Sequence, residues 1–187
     1  MKGNACRLLL LALMAATIGA MLQPVRSYDL WWHLATGRLI TSQHRIPHTD
    51  PYSFTSPATP WLDHEWLFQV AAYEGFRLAG WGFFLFGTVV MGLAAYLLLA
   101  FCLRDRRGFP PAAWLLLAIS LAGARFRFDF WPELISYPFL AALCAIVIKS
   151  RDEGQARLAW LAFPLFAAWA NLHPAALLGA AILCVWL

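Results

Sequence analysis

Long apolar runs that alternate with short polar stretches dominate this sequence. Residues 8–25 form the first run, and residues 81–103 form the second. The second run is long enough to cross a hydrocarbon core of about 30 Å at about 1.5 Å per residue of helix. Two further runs cover residues 110–124 and 134–148. The pattern predicts an all-α polytopic bundle in which these four runs are transmembrane helices.

The final segment, residues 158–187, does not fit one straight crossing, because it is too long for a single span. Its polar residues Asn171 and His173 fall near the middle, and Pro174 interrupts a helix directly after them. Polar groups at membrane depth must face protein or water. We predict a broken span, or a helical hairpin whose polar turn reaches the surface. Because the segment ends without a polar flank, we expect residues 1–187 to be the N-terminal fragment of a single membrane domain.

The longest polar region, residues 26–80, predicts a long outer loop that carries interfacial helices. In the first helix, Asp29 and His33 share a face because they are four residues apart. The opposite side is apolar and contains Trp31, Leu34 and Ala35. Tryptophan favours the membrane–water interface, so we expect this helix to lie flat, with the carboxylate and imidazole just above the lipid. The alternative is an anchor in which Asp29 only caps the helix.

A second amphipathic helix is predicted to begin near Trp61. Its apolar stripe follows helical spacing and consists of Leu62, Trp66, Val70 and Tyr73. Between the two helices, prolines exclude a long regular element, and Asp50-Pro51 is typical of a turn.

The composition supports a membrane protein and argues against a nucleic-acid partner. The chain is 61% hydrophobic and only 13% charged, against about 25% charged in soluble domains. Its basic residues lie in short clusters between apolar runs, as topology signals do. No C-x-x-C is present, so the four cysteines predict neither a disulfide framework nor a metal knuckle.

Basic residues also predict the orientation of the chain in the inner (plasma) membrane. Eight lie in the short pieces that we place in the cytoplasm: Lys2, Arg7, Arg104, Arg106, Arg107, Lys149, Arg151 and Arg157. Six lie in the outer pieces, mostly in one long loop: Arg26, Arg38, Arg45, Arg77, Arg125 and Arg127. By the positive-inside rule, the N-terminus of this multi-pass protein is cytoplasmic.

This topology places four polar clusters on the outer side of the membrane. They are Asp29 with His33, Asp50 through His64 and Glu65, Arg125 with Arg127 and Glu133, and Asn171 with His173. Carboxylates and imidazoles bind divalent metals or act as general bases, and arginines hold phosphate. Such a set suits a reaction on a lipid-phosphate substrate. Alternatively, the two arginines only snorkel to lipid phosphates.

Several motifs resemble those of multispanning prokaryotic proteins described as GT-C-type glycosyltransferases. The motifs are DLWWHLATG at 29–37, HTDPYS at 48–53, WLDHEWL at 61–67, PELISY at 132–137 and WANLH at 169–173. The likeness covers most of the chain from Asp29 onward. Two positions depart from the pattern: Trp131 stands where an arginine is expected, and Pro174 where a glycine is expected.

The resemblance implies a GT-C-like fold and a polyprenyl-phosphate-linked sugar as donor. GT-C enzymes carry an acidic residue early in the first outer loop, beside a helix that lies along the membrane, and Asp29 matches that position. It would be the general base or the ligand of a divalent metal ion. His33 and Glu65 would support catalysis. Substrate contacts would come from Arg125, Arg127, Glu133, Asn171 and His173, and the partners would be the lipid-linked donor, membrane lipids and the missing C-terminal segments.

Two other function classes remain open at this stage. A non-enzymatic transporter or membrane assembly subunit is favoured by the interrupted final segment, although the sequence shows no internal repeat. A haem protein would use His33, His64 or His173 as axial ligands, but the chain lacks a C-x-x-C-H motif.

Overall fold

The computed structural model describes residues 3–55, 59–104, 109–152 and 156–186. Within these ranges the fold is all-helical, as predicted, and the extended pairing in them is one isolated bridge between Thr49 and Pro60. The topology signals predicted at Lys2, Arg106 and Arg107 lie outside these ranges. The described α-helices are α1 (Gly3–Met21), α2 (Asp29–Gln43), α3 (Trp66–Ala79), α4 (Trp81–Leu103), α5 (Pro111–Ala124), α6 (Pro132–Asp152), α7 (Ala162–Leu172) and α8 (Ala176–Trp186).

Three helices in the described part of the chain are long and apolar enough to cross a membrane. They contain the stretches Asn4–Met21, Trp81–Leu103 and Pro132–Arg151, which overlap the spans predicted at 8–25, 81–103 and 134–148. The last of these begins two residues earlier than predicted, at Pro132, because proline is well tolerated in the first turn of a helix. The chain therefore has the helices of a membrane protein.

The fourth predicted span, residues 110–124, is a shorter helix than the other three. With 14 residues, α5 is about 21 Å long, less than the thickness of a hydrocarbon core. It ends in a 3-10 turn, Arg125–Arg127. The predicted break at Pro174 lies between α7 and α8, which have 11 residues each. Gly179 of α8 faces the Trp169 ring of α7, so α8 turns back against α7.

Helices α2 and α3 pack against each other through faces that the hydrophobic pattern did not identify. The predicted start of α3 near Trp61 is wrong, since the helix begins at Trp66. Asp63 explains the later start: its Oδ1 accepts hydrogen bonds from the Glu65 N–H at 3.2 Å and from Gln69 Nε2 at 3.0 Å. This turn leaves Leu62 outside the helix and 81% exposed.

The buried stripe of α3 is Phe68, Gln69, Ala72 and Gly75 rather than the predicted apolar stripe. In α2, the face that was expected to point away from lipid is the buried one. His33 and Thr36 are buried there, whereas Trp31 is 58% exposed. Gly37 allows this packing, because a Cβ at that position would collide with the Gln69 carbonyl.

An aromatic core joins the α2–α3 pair to the spans. Phe68 of α3, Phe84 of α4 and Phe130, which precedes α6, belong to one buried cluster. The Phe84 and Phe130 rings are 4.9 Å apart, and the Phe68 and Phe130 rings are 5.5 Å apart. This core fixes α3 and the residues before α6 relative to each other, and therefore fixes the relative positions of Glu65 and Glu133.

Candidate functional site

A polar cleft lies where the start of α2, the segment before α3, the start of α6 and the turn between α7 and α8 meet. Its volume is about 490 Å³, within the usual range for ligand sites. The lining residues are Asp29, Trp32, His33, Glu65, Trp131, Pro132, Glu133 and His173. Five of these were selected from the sequence as candidate site residues, so the structure brings together polar groups that lie far apart in the chain.

Each polar lining residue sits at or near a helix end, which explains why they converge. Asp29 is in the first turn of α2, and Glu133 is in the first turn of α6. Glu65 directly precedes α3, and His173 directly follows α7. Helix ends carry backbone groups without intrahelical partners, so they are suited to polar surroundings. Tyr28 occupies the N-cap of α2, where no side-chain cap forms, so Asp29 is not a helix cap.

Glu65 lies between the two imidazoles of the cleft, those of His33 and His173. Its Oε1 is 3.8 Å from His173 Nε2, and its Oε2 is 4.0 Å from His33 Nδ1. Both distances exceed that of a hydrogen bond, so each imidazole lies next to Glu65 without bonding to it. Glu65 is therefore the carboxylate that both imidazoles face.

Burial shifts the proton affinities of these groups. Burial raises the pKa of Glu65 and outweighs the opposing effect of His64, while Asp63 and Asp29 raise it further. Burial also lowers the pKa of His33 to about 4, although the charge of Asp29 opposes this shift. His33 is therefore neutral near pH 7, and Glu65 holds its proton more readily than an ordinary glutamate. Such a carboxyl is suited to proton transfer.

His173 is fixed from behind by a buried hydrogen-bond chain. Its Nδ1 lies 2.8 Å from Ser136 Oγ, and Trp169 Nε1 donates to the same Oγ at 2.8 Å. The Ala175 N–H also points at His173 Nδ1, at 3.4 Å. These contacts aim the other ring nitrogen of His173 into the cleft, toward Glu65.

Arg127 lies at the edge of the cleft through its bond to Glu133. Its Nη2 donates to both carboxylate oxygens at 2.7 Å, and its side chain is 54% exposed. The Tyr137 hydroxyl also donates to Glu133, at 3.3 Å. A cationic group thus stands beside the carboxylates at a position that a ligand can reach.

Three predicted substrate contacts do not line the cleft: Arg127, which lies at its edge, Arg125 and Asn171. The Arg125 guanidinium lies over the Phe126 ring at 4.4 Å. Asn171 accepts a hydrogen bond from Trp66 Nε1 at 2.8 Å, and its amide donates to the Ala167 carbonyl at 2.8 Å. Asn171 therefore joins α7 to α3.

Asp50 forms a capped turn, in which Oδ1 accepts from the N–H of Tyr52 at 2.8 Å.

Five residues in or behind the cleft were not selected from the sequence as site residues: Trp32, Trp131, Pro132, Ser136 and Trp169. Ser136 and Trp169 support His173, and Trp32 lines the wall, where its ring stacks on Trp61 at 5.3 Å. For Ser136 a sequence signal exists, since it lies three residues after Glu133 and so shares its helix face. Trp169 has no comparable signal, because its partner lies on another helix.

The role of Asp29 as a metal ligand stays a prediction. Asp29, Glu65 and Glu133 line one cleft, yet the described part of the chain holds no group of three or more His, Cys, Asp or Glu side chains placed to bind a metal ion. The described residues thus do not form a ready metal cage.

Comparisons with protein-family models, curated proteins and solved structures found no match for this chain.

Proposed function

We propose that this chain forms part of a membrane glycosyltransferase that moves a sugar from a polyprenyl-phosphate donor to an acceptor hydroxyl. The observation that carries the proposal is the cleft itself. Three carboxylates and two imidazoles line it, and it lies at the ends of apolar helices beside exposed tryptophans. A lipid-linked substrate would keep its chain among such helices and present its head group at this level.

The proposed orientation follows from the basic residues. With the N-terminus in the cytoplasm, residues 26–80 form the long outer loop, and the cleft faces the outer side of the inner (plasma) membrane. Four of the five motifs that resemble GT-C enzymes contribute residues to the cleft, and HTDPYS at 48–53 does not. A GT-C-like fold would be completed by C-terminal segments of the same protein.

Sugar transfer requires a proton acceptor and a group that stabilises the leaving phosphate. The acceptor oxygen bonds to the anomeric carbon while the bond from that carbon to the phosphate oxygen breaks. The electron pair leaves with the polyprenyl phosphate, and the acceptor proton passes to a carboxylate. Asp29 and Glu65 supply carboxylates, and His33 borders Glu65. The guanidinium of Arg127 has five N–H donors, so its bond to Glu133 leaves others for the phosphate.

The test is sugar transfer by the full chain in detergent or nanodiscs, with labelled polyprenyl-phosphate sugars. We expect Asp29→Asn and Glu65→Gln each to lower turnover by about 100-fold or more, the usual contribution of a general base. Glu74→Gln is the matched control, because Glu74 is on α3, which Glu65 directly precedes, but pairs with Arg77 away from the cleft. Normal transfer by both cleft variants would refute the proposal.

A transporter or membrane assembly subunit is the second candidate, and the interruption between α7 and α8 favours it. His173 lies at this interruption with an extended backbone and faces the cleft, as ligand groups do at broken helices in transporters. Substrate flux that survives Asp29→Asn but is lost in His173→Ala would support this candidate over sugar transfer.

A further inference from the structure

The hydrogen bonds behind His173 determine which of its ring nitrogens carries the proton. Trp169 is fully buried, and its indole N–H can only donate. The oxygen of Ser136, which is 5% exposed, is therefore the acceptor of that bond. The single hydroxyl hydrogen of Ser136 is then available to its other close neighbour, His173 Nδ1.

A second donor supports the same assignment. The backbone N–H of Ala175 is directed at His173 Nδ1, and a backbone N–H can only donate. Two donors thus converge on one ring nitrogen, which must be unprotonated to accept them. In the neutral ring the proton is then on Nε2, the nitrogen that faces Glu65 Oε1 at 3.8 Å.

We propose that Ser136 and Trp169 are positioning residues that hold His173 in its Nε2–H tautomer, so that this N–H is directed at Glu65, the proton acceptor of the cleft. The catalytic part of the inference rests on the proposed function, whereas the tautomer is measurable without any turnover. The inference makes Glu65, rather than the more exposed Asp29, the carboxylate that takes the proton of the acceptor hydroxyl.

His173 orients the carboxylate of Glu65 through a hydrogen-bond donor. An N–H aimed at Glu65 stabilises its ionised form and fixes its rotamer, which offsets the burial that disfavours the charge. Hydrogen bonds of this kind are often long without substrate and shorten in the reactive complex. When Glu65 takes the proton of the acceptor hydroxyl, His173 keeps its own proton and stays neutral.

The two imidazoles beside Glu65 differ in this respect. His33 Nδ1 is buried and has no hydrogen-bond partner among the described residues, and it lies 4.0 Å from Glu65 Oε2. His173, in contrast, has a hydroxyl and a backbone N–H on its rear nitrogen. The inference therefore assigns a fixed tautomer to His173, and His33 is the internal reference for the experiment.

The first experiment is ¹⁵N NMR on the full chain in nanodiscs with labelled histidine, where His173→Asn identifies the His173 signals. We expect the wild type to show one neutral tautomer with the proton on Nε2. Ser136→Thr keeps the hydroxyl and should keep that tautomer. Ser136→Ala and Trp169→Phe should produce a mixture at His173 and leave His33 unchanged. A wild-type proton on Nδ1 would overturn the inference even if no variant folds, and so would an unchanged tautomer in folded Ser136→Ala.

The second experiment tests the link to Glu65. If Ser136 acts through His173 on the base, Ser136→Ala should lower kcat about 10-fold or more with little change in KM. It should also shift the acid limb of the pH profile of kcat to higher pH, since Glu65 would lose a hydrogen-bond donor to its ionised form. Ser136→Thr should restore both. An unshifted profile with normal kcat would refute the role of Glu65. If His173 has the proposed tautomer but no sugar donor is turned over, sugar transfer is refuted and the tautomer assignment stands.

Discussion

Trp66 donates a hydrogen bond from its indole N–H to the side-chain oxygen of Asn171 at 2.8 Å, across 105 positions of sequence. Trp66 directly follows Glu65, and Asn171 lies two residues before His173. This one contact therefore holds the start of α3 against the end of α7, at the point where Glu65 and His173 face each other. It explains why two residues from distant parts of the chain form one pair.

Removing that hydrogen bond should weaken the contact between α3 and α7 without creating a cavity in the core. Trp66→Phe keeps an aromatic ring but leaves the oxygen of Asn171 without its donor, at a cost of about 1–3 kcal/mol. For a chain of this length, each kcal/mol corresponds to a fall of about 2–4 °C in Tm. Thermal unfolding in detergent measures the change. Trp31→Phe is the control, since Trp31 is exposed, and an equal loss there would contradict the assigned role.

The contact of α2 with α3 should depend on the absence of a side chain at Gly37. An added Cβ would meet the Gln69 carbonyl and Tyr73 Cβ, and backbone cannot move aside as a flexible side chain does. We expect Gly37→Ala to destabilise the protein by about 1–3 kcal/mol, as overpacking does. Gly123→Ala is the matched control, because that helical glycine has no neighbour within 4 Å and alanine favours helix. Equal Tm values for both variants would show that the helices separate easily.

The members of the cleft were largely predictable, because polar residues near helix ends on one side of an alternating bundle must meet. Asp29, His33, Glu65, Glu133 and His173 were all selected in this way. The faces of α2 and α3 were not predictable from the hydrophobic pattern. His33 and Gln69 are buried polar residues, and their burial depends on the close approach at Gly37, a property of two helices together.

Ser136 and Trp169 illustrate the same limit from the opposite direction. Ser136 shares a helix face with Glu133, but nothing in the sequence indicates the hydrogen bond from Trp169 to Ser136 that joins α7 to α6. Local spacing identifies residues that share a face of one helix, but it carries no information about which faces of two helices meet. The polar lining residues of the cleft were therefore recognisable in the sequence, whereas the hydrogen bonds behind His173 were not.

His33 should remain uncharged until well below the usual histidine range. Its surroundings lower its pKa from 6.5 to about 4, chiefly by burial, while Asp29 opposes and His173 adds to the shift. Between these two pH values the unfolded chain binds more protons than the folded one, so stability rises with pH across this window and falls as pH drops toward 4. NMR titration of His33 and Tm measured from pH 7 to 4 check this.

The His33 prediction has a direct control. His33→Gln should reduce the dependence of Tm on pH in this window, to which His173 also contributes because burial lowers its pKa. His48→Gln is the control, because His48 is exposed. Glu65 also faces His33, so Glu65→Gln should be compared in the same series. Titration of His33 near 6.5 would show that the ring is hydrated rather than buried.

Arg127 should contribute to phosphate binding much more than to stability. Its pair with Glu133 is solvent-exposed, and exposed pairs contribute about 0–1 kcal/mol to folding, so Arg127→Gln should change Tm by only a few degrees. A lost charge-assisted hydrogen bond costs about 1.5–3 kcal/mol, which corresponds to at least about 10-fold weaker binding. Arg77→Gln is the matched control, because it breaks a similar exposed pair with Glu74 away from the cleft. Equilibrium binding of a polyprenyl phosphate measures the affinity, and thermal unfolding measures the stability. Equal affinities of Arg127→Gln and Arg77→Gln would indicate that Arg127 contacts the phosphates of bilayer lipids and not the donor.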